Sequence, residues 1–203
     1  MMVKHQADTL RKLRNAARRV RSHLPAHLPP VFFLTDPERV PDPMAVVERL
    51  PAGYGVIYRH FGDPDRGPVA SALASIAARR GLCLLIAADP KLAISVGAHG
   101  VHWPEARLGE TREWRKTFAI NTASAHSRRA IHRAEKAGMD AALVSTIFPS
   151  NSPSANRPVG PARLAKLCAN TPLPLYGLGG INASNAAQIA EFAGLAAIES
   201  LGN

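Results

Sequence analysis

From residue 31 onward the chain repeats one unit eight times: a short apolar, β-rich run, then a stretch with helical spacing. The strand-like runs are 31–35 (VFFLT), 54–59 (YGVIYR), 82–87 (LCLLIA), 100–102 (GVH), 118–122 (FAINT), 141–145 (AALVS), 173–177 (LPLYG) and 195–199 (LAAIE). Helical stretches fall between them near 43–50, 67–80, 89–97, 110–116, 127–137, 161–169 and 184–193. Strands that alternate with helices pair in parallel, because each parallel neighbour needs a crossover. Eight units of roughly 21 residues suit a closed (β/α)₈ TIM barrel better than an open sheet. No longer repeat and no low-complexity linker interrupts the pattern, so residues 31–203 are expected to form one barrel domain.

The eighth strand is followed by only four residues, so an eighth helix is expected to be missing. A bare barrel flank would expose apolar surface, and two covers are available: a second copy of the chain, or the segment before residue 31. In that segment Val3, Ala7, Leu10, Leu13, Ala17, Val20 and Leu24 form one helical stripe, and Pro25, Pro29 and Pro30 end it. Residues 1–30 therefore read as a basic amphipathic helix with a proline-rich connector.

The formal net charge is +10, and residues 1–21 hold seven basic side chains against one acid, Asp8. Most of the excess lies on a tenth of the chain and the body is only mildly basic, so nucleic acid is not the expected partner. The helix reads as a packing helix with a solvated back, as a surface helix for RNA or membrane, or as an Arg-rich transit peptide. No stretch of 18 apolar residues is present for a membrane span. Cys83 and Cys168 lie far apart in apolar contexts and read as reduced core thiols of a cytoplasmic protein.

In barrels of this kind chemistry gathers at the C-terminal strand ends. There the chain places Thr35-Asp36, Arg59-His60, Asp89, His102 with Glu105, Ser124-Ala125-His126-Ser127, Ile147-Phe148-Pro149, Gly179-Gly180 and Glu199-Ser200. Glycines let backbone N–H groups close on a phosphate, so Gly179-Gly180 after the seventh strand reads as a phosphate cradle or as a plain tight turn. It is neither a Walker loop nor a dinucleotide fingerprint. His126 is placed to move a proton near neutral pH, or stands beside Ser127 as that residue caps a helix. His102, Glu105 and Asp89 offer a divalent-metal set, or are ordinary polar residues of the mouth. Arg59 suits an anion, or a structural ion pair.

Taken in order, these segments resemble the thiamine-phosphate synthase and thiazole tautomerase family across residues 31–203. The likeness rests on Leu34-Thr35-Asp36, Asp89, Gly97-Ala98-His99-Gly100-Val101-His102, Ser124-Ala125-His126-Ser127, Ile147-Phe148-Pro149, Pro158-Val159-Gly160 and Gly179-Gly180-Ile181. The resemblance implies a thiazole phosphate held by backbone at Gly160, Gly179, Gly180, Glu199 and Ser200, with Ser124 and Phe148 near the ligand. It implies catalytic roles for His126 and Arg59. It also implies Mg²⁺ on a pyrimidine diphosphate in the synthases, with Asp89 as a ligand, and no metal in the tautomerases.

The departures from the family pattern fall on the diphosphate side. The synthases' Gln-x-Arg-x-Lys reads Ile57-Tyr58-Arg59-His60-Phe61, so only the arginine is kept. Their Asn-Asp reads Ala88-Asp89, and their Gln-Glu-Asp reads Glu105-Ala106-Arg107, where a cation replaces a metal-binding anion. The lysine of the strand-six loop is absent from Ser150 to Asn156. Three readings stand: a synthase joining thiazole phosphate to a pyrimidine diphosphate, a metal-independent tautomerase using His126, or a non-catalytic phosphate-ligand-binding relative. Small phosphorylated molecules are the expected partners, and a homo-oligomer remains open.

Overall fold

The computed structural model describes residues 2–150, 152 and 157–202, with side chains from residue 11 to residue 201. Eight parallel strands close into a barrel in chain order. They are β1 (Val31–Leu34), β2 (Gly55–Tyr58), β3 (Cys83–Ala87), β4 (Gly100–Trp103), β5 (Ile120–Ala125), β6 (Ala141–Ser145), β7 (Leu175–Leu178) and β8 (Gly194–Ala197). The helices are α1 (Met2–Arg21), α2 (Pro43–Val47), α3 (Arg66–Arg80), α4 (Pro90–Ser95), α5 (Thr111–Trp114), α6 (Arg128–Lys136), α7 (Gly160–Cys168) and α8 (Glu199–Gly202).

Alternation along each strand divides the core in two, because successive side chains point to opposite faces. Phe32, Leu34, Ile57, Leu85, Ile120, Leu143, Tyr176 and Ala196 fill the barrel interior. Phe33, Val56, Leu84, Ile86, Val101, Val144 and Leu195 face outward onto Val46, Val47, Leu73, Ile76, Ile131 and Leu164 of the helical layer. The interior is crowded at its N-terminal end, where the Phe32 and Tyr176 rings lie 5.1 Å apart. A Cβ at position 194 would stand 2.3 Å from the Tyr176 ring, so only glycine leaves room there. The Tyr176 hydroxyl donates to the Pro29 carbonyl at 2.6 Å in a buried setting, tying the connector to the barrel. Tyr176→Phe leaves that carbonyl without its donor and is expected to lower stability by about 1–2 kcal/mol in denaturant titrations, with the fold kept.

Two stretches differ from the sequence reading. The helix expected over 184–193 is only a 3-10 turn, Ala186–Gln188. Asn182 and Asn185 explain this: Asn182 Oδ1 accepts from Ser184, Asn185 Oδ1 accepts from the Asn182 N–H, and side-chain acceptors compete with helical pairing. The last strand ends at Ala197 and not at 199, because Glu199 begins the single turn of α8.

The thin flank left by these two short elements is covered by α1, which lies against β8 and the Ala186–Gln188 turn. Leu13, Ala16, Ala17 and Val20 are buried in the outer core, and Leu24 packs on it. The side chains of Val3, Ala7 and Leu10, also placed on the stripe, lie outside the described residues. Arg11, Lys12, Arg14, Arg18 and Arg19 are on the exposed side. Polar ties fix the helix in place: Arg19 pairs with Glu191 at 3.1 Å, His23 Nε2 meets the Ala190 carbonyl at 2.9 Å, and Arg21 donates to the Leu28 carbonyl at 2.8 Å. Cys83 and Cys168 are unpaired, and burial pushes their thiols up to about 12 and about 11. Among the described residues no helix is long and apolar enough to cross a membrane.

Candidate active site at the C-terminal mouth of the barrel

The strand ends deliver the sequence-selected residues to one mouth, and the hydrogen bonds sort them into two sides. On the β1–β2 side, Arg59 is three-quarters enclosed and fixed from three directions. Its N–H donates to Thr35 Oγ1 at 2.9 Å, its Nε to the Thr35 carbonyl at 3.1 Å, and its Nη2 reaches Asp36 at 3.5 Å. Burial lowers the proton affinity of the guanidinium and Asp36 raises it, so Arg59 stays a cation. Burial also works against the Asp36 charge, but hydrogen bonds from Arg39 and the nearby Arg59 more than offset it, and the carboxyl titrates below its usual range. Arg39 grips Asp36 through Nε and Nη2 at 3.0 and 2.7 Å, a pairing that the i, i+3 spacing hinted at.

Phe61, where the synthases carry lysine, is 59% exposed, with the Arg66 guanidinium 5.3 Å from its ring centre.

On the β6–β8 side, the two glycines are required by their surroundings. Gly180 has φ +67, and a Cβ there would lie 2.3 Å from the Pro149 carbonyl oxygen. Gly179 has φ +94 and accepts from the Phe148 N–H at 3.0 Å, which locks the β6 and β7 loops together. The N–H groups of Gly180 and Ile181 have no hydrogen-bond partner among the described residues. The Ser200 hydroxyl is enclosed and also without a partner. Unpaired donors on a glycine turn after β7, with an unpaired hydroxyl after the neighbouring β8, suit an anion. Gly160 is different: its N–H already donates to the Ile147 carbonyl at 3.0 Å, so it shapes the loop and is not a free donor. Phe148 is half-buried against the outer core, and Glu199 is exposed at the start of α8. Residues 151 and 153–156 of the loop after β6 lie outside the described residues.

Between the two sides sits a hydrogen-bonded row on β4 and β5. His102 is buried, its Nδ1 2.9 Å from Thr122 Oγ1 and its Nε2 2.9 Å from Ser124 Oγ. Ser124 is thereby fixed at the rim. Burial, reinforced by Arg59, drives the His102 ring down to about 3, so it is neutral at physiological pH. An unfolded histidine takes its proton near 6.5, so this burial contributes stability that is present above pH 6.5 and lost as pH falls toward 3. Between pH 7 and pH 4, wild type is expected to lose roughly 3 kcal/mol more than His102→Gln, read by denaturant titration at the two pH values.

His126 is exposed; its Nδ1 lies 3.2 Å from Ser145 Oγ, and its N–H donates to Glu105 at 3.3 Å. Ser127 caps α6 by accepting from the Ala130 N–H at 3.1 Å.

The metal set of His102, Glu105 and Asp89 does not come together. Both His102 nitrogens are used inside the barrel, and Glu105 is paired with Arg133. Asp89 caps α4, accepting from the Leu92 N–H at 2.9 Å. Among the described residues no group of three His, Cys, Asp or Glu side chains is placed to hold a metal ion. Beside Asp89, where a second carboxylate is needed, stands the Arg107 guanidinium, donating to the Ala88 carbonyl at 2.6 Å. These residues fit a magnesium ion poorly: such an ion is usually held by one or two carboxylates together with substrate phosphates, and here the carboxylate of Asp89 is half-committed to a helix cap with a guanidinium beside it.

Two contributors escaped the sequence reading. Thr122 had no signal of its own and is found only through its register with His102. For Arg39 the one signal is its i, i+3 spacing from Asp36.

The family model described as thiamine monophosphate synthase matches residues 31–201. A thiamine-phosphate synthase of Thioalkalivibrio sulfidiphilus is 34% identical over 131 residues, which are 62% of this chain and 61% of that protein. One from Thiobacillus denitrificans is 32% identical over 171 residues, covering 78% of this chain and 79% of that protein. Among solved structures, a thiamine phosphate pyrophosphorylase from Pyrococcus furiosus superposes with a TM-score of 0.75 at 22% identity, covering 88% of this chain and 89% of that one.

Proposed function

The chain belongs to the thiamine monophosphate synthase family, and on that premise we propose that it joins a phosphorylated thiazole to a pyrimidine diphosphate. The observation that carries this reading is the two-sided mouth. Unpaired N–H groups at Gly180 and Ile181, with the enclosed Ser200 hydroxyl, offer a cradle for one phosphate. Across the ring of strands, Arg59 offers a fixed cation to the second anionic substrate. A tautomerase needs the first side and leaves the second without a task.

In the proposed reaction the bond between the pyrimidine carbon and the diphosphate oxygen breaks. The diphosphate leaves with the electron pair, and the thiazole nitrogen lone pair forms the new C–N bond to the carbocation. The difficult moment is the departure of the anion. Arg59 is held by Thr35 and Asp36 before any ligand arrives, so no reorganisation is needed when charge develops. His102 keeps Ser124 in one place while staying neutral beside Arg59. His126, hydrogen-bonded to Ser145, is assigned to the rim near the ligands. No step is routed through a metal. The unpaired Cys83 and Cys168 support a reducing, cytoplasmic setting.

The test is direct. The protein is incubated with thiazole phosphate and the pyrimidine diphosphate, and thiamine phosphate is sought by mass spectrometry. Product well above the enzyme-free background is expected. Its absence, with and without added divalent ion, would sink the proposal.

A further inference from the structure

We infer that Arg107 is a fixed cation at the β3–β4 edge of the mouth, and that this edge receives a diphosphate group without a divalent metal. The inference rests on the diphosphate-substrate reading above and concerns how that substrate is held.

The geometry is specific. The 3-10 turn Glu105–Glu110 that follows β4 carries Arg107 over the turn between β3 and α4. Its Nη1 donates to the Ala88 carbonyl at 2.6 Å, while Nε and Nη2 donate to the two Glu110 oxygens at 2.7 and 2.6 Å. A guanidinium has five N–H hydrogens, so this grip fixes its plane and leaves one hydrogen on each terminal nitrogen for a ligand.

The carbonyl it holds belongs to a backbone that needs holding. Ala88 has φ +57, a left-handed conformation that a residue with a Cβ seldom adopts. The turn is closed by the Ala88 N–H, which donates to the His102 carbonyl at 2.9 Å, and by Arg107 on the other side. The same turn sets Asp89 within the electrostatic reach of Arg107. Asp89 is itself engaged by the Leu92 N–H. A divalent ion at this edge would meet one half-committed carboxylate, Asp89, beside a guanidinium whose partner carboxylate, Glu110, already has both oxygens engaged. A diphosphate would meet a positioned donor pair, with Arg59 on the neighbouring strand.

Three titrations test this on the full chain. Mn²⁺ alone, followed by electron paramagnetic resonance, is expected to show no saturable binding to wild type and saturable binding to Arg107→Asp, which restores a second carboxylate beside Asp89. Pyrophosphate alone, followed by calorimetry in EDTA, is expected to bind wild type, and about tenfold or more weakly to Arg107→Gln. Thiazole phosphate is expected to raise the melting temperatures of wild type and Arg107→Gln alike, which separates loss of this edge from loss of the fold or of the phosphate cradle.

The inference is overturned by saturable Mn²⁺ binding to wild type, by pyrophosphate that binds only when a divalent ion is added, or by no pyrophosphate binding at all. The wild-type titrations decide even if Arg107→Asp does not fold. None of these readouts needs turnover, so a failure to form thiamine phosphate leaves them intact.

Discussion

Deleting residues 1–24 is expected to unfold the barrel, not to release a dispensable arm. Leu13 and Val20 are buried beside Ala16 and Ala17 in the core that also contains Leu195 and Ala197 of β8. Burying a leucine or valine contributes about 1.5–3 kcal/mol each. The deletion also strips cover from Ile189, Ala190 and Ala193, so the loss is roughly 5 kcal/mol or more, which rivals the whole stability of an ordinary domain. Thermal and denaturant unfolding of the truncated protein would show it as absent or greatly weakened cooperativity. A sharp transition near that of wild type would mean that the barrel closes without α1. Exchanging the exposed Arg14 and Arg18 for glutamine leaves the buried stripe alone and is expected to shift stability little, which separates the packing role of the helix from its charge.

The second large effect is expected at Arg59. Arg59→Ala removes a preorganised cation from the place assigned to the departing anion, and kcat should fall about 10²–10³-fold. Arg59→Lys should recover little of this. A lysine keeps the charge but not the planar fork, and so cannot reproduce the bonds to the Thr35 carbonyl and Asp36 together. Steady-state kinetics on the two variants, with melting curves as the control on folding, provide the measurement. A loss below tenfold in Arg59→Ala would remove Arg59 from the leaving-group role and leave it as a structural partner of Asp36.

The barrel was legible in the sequence because its signal is local. Each strand is a short apolar run, and each crossover announces itself by a change of period. The 184–193 segment misled for the same reason. Its alanines favour a helix locally, while Asn182 and Asn185 close turns through side chains whose choice of partner no periodicity reveals.

The mouth was legible only in part. Glycines at 179 and 180 stand out in any reading, and φ +67 beside the Pro149 carbonyl explains why the second cannot be anything else. His102 was legible as a hydrogen-bonded polar residue of the mouth, but its partners were not. Its partners Thr122 and Ser124 lie 20 and 22 positions away and become neighbours only through strand register. Arg107 shows the same limit. The departure from the family pattern is written in the sequence, but the group it grips is the carbonyl of Ala88, and backbone acceptors carry no letter.

The placement of α1 also has a temporal side. The helix precedes all eight strands in the chain, and the surface it packs against, β8 with the turn before it, is made only after the other seven. Until that surface exists, an amphipathic helix waits with Leu13 and Val20 unpaired while seven strands emerge behind it. Closure therefore rests on contacts between α1 and β8 at very long sequence separation, which is expected to slow folding.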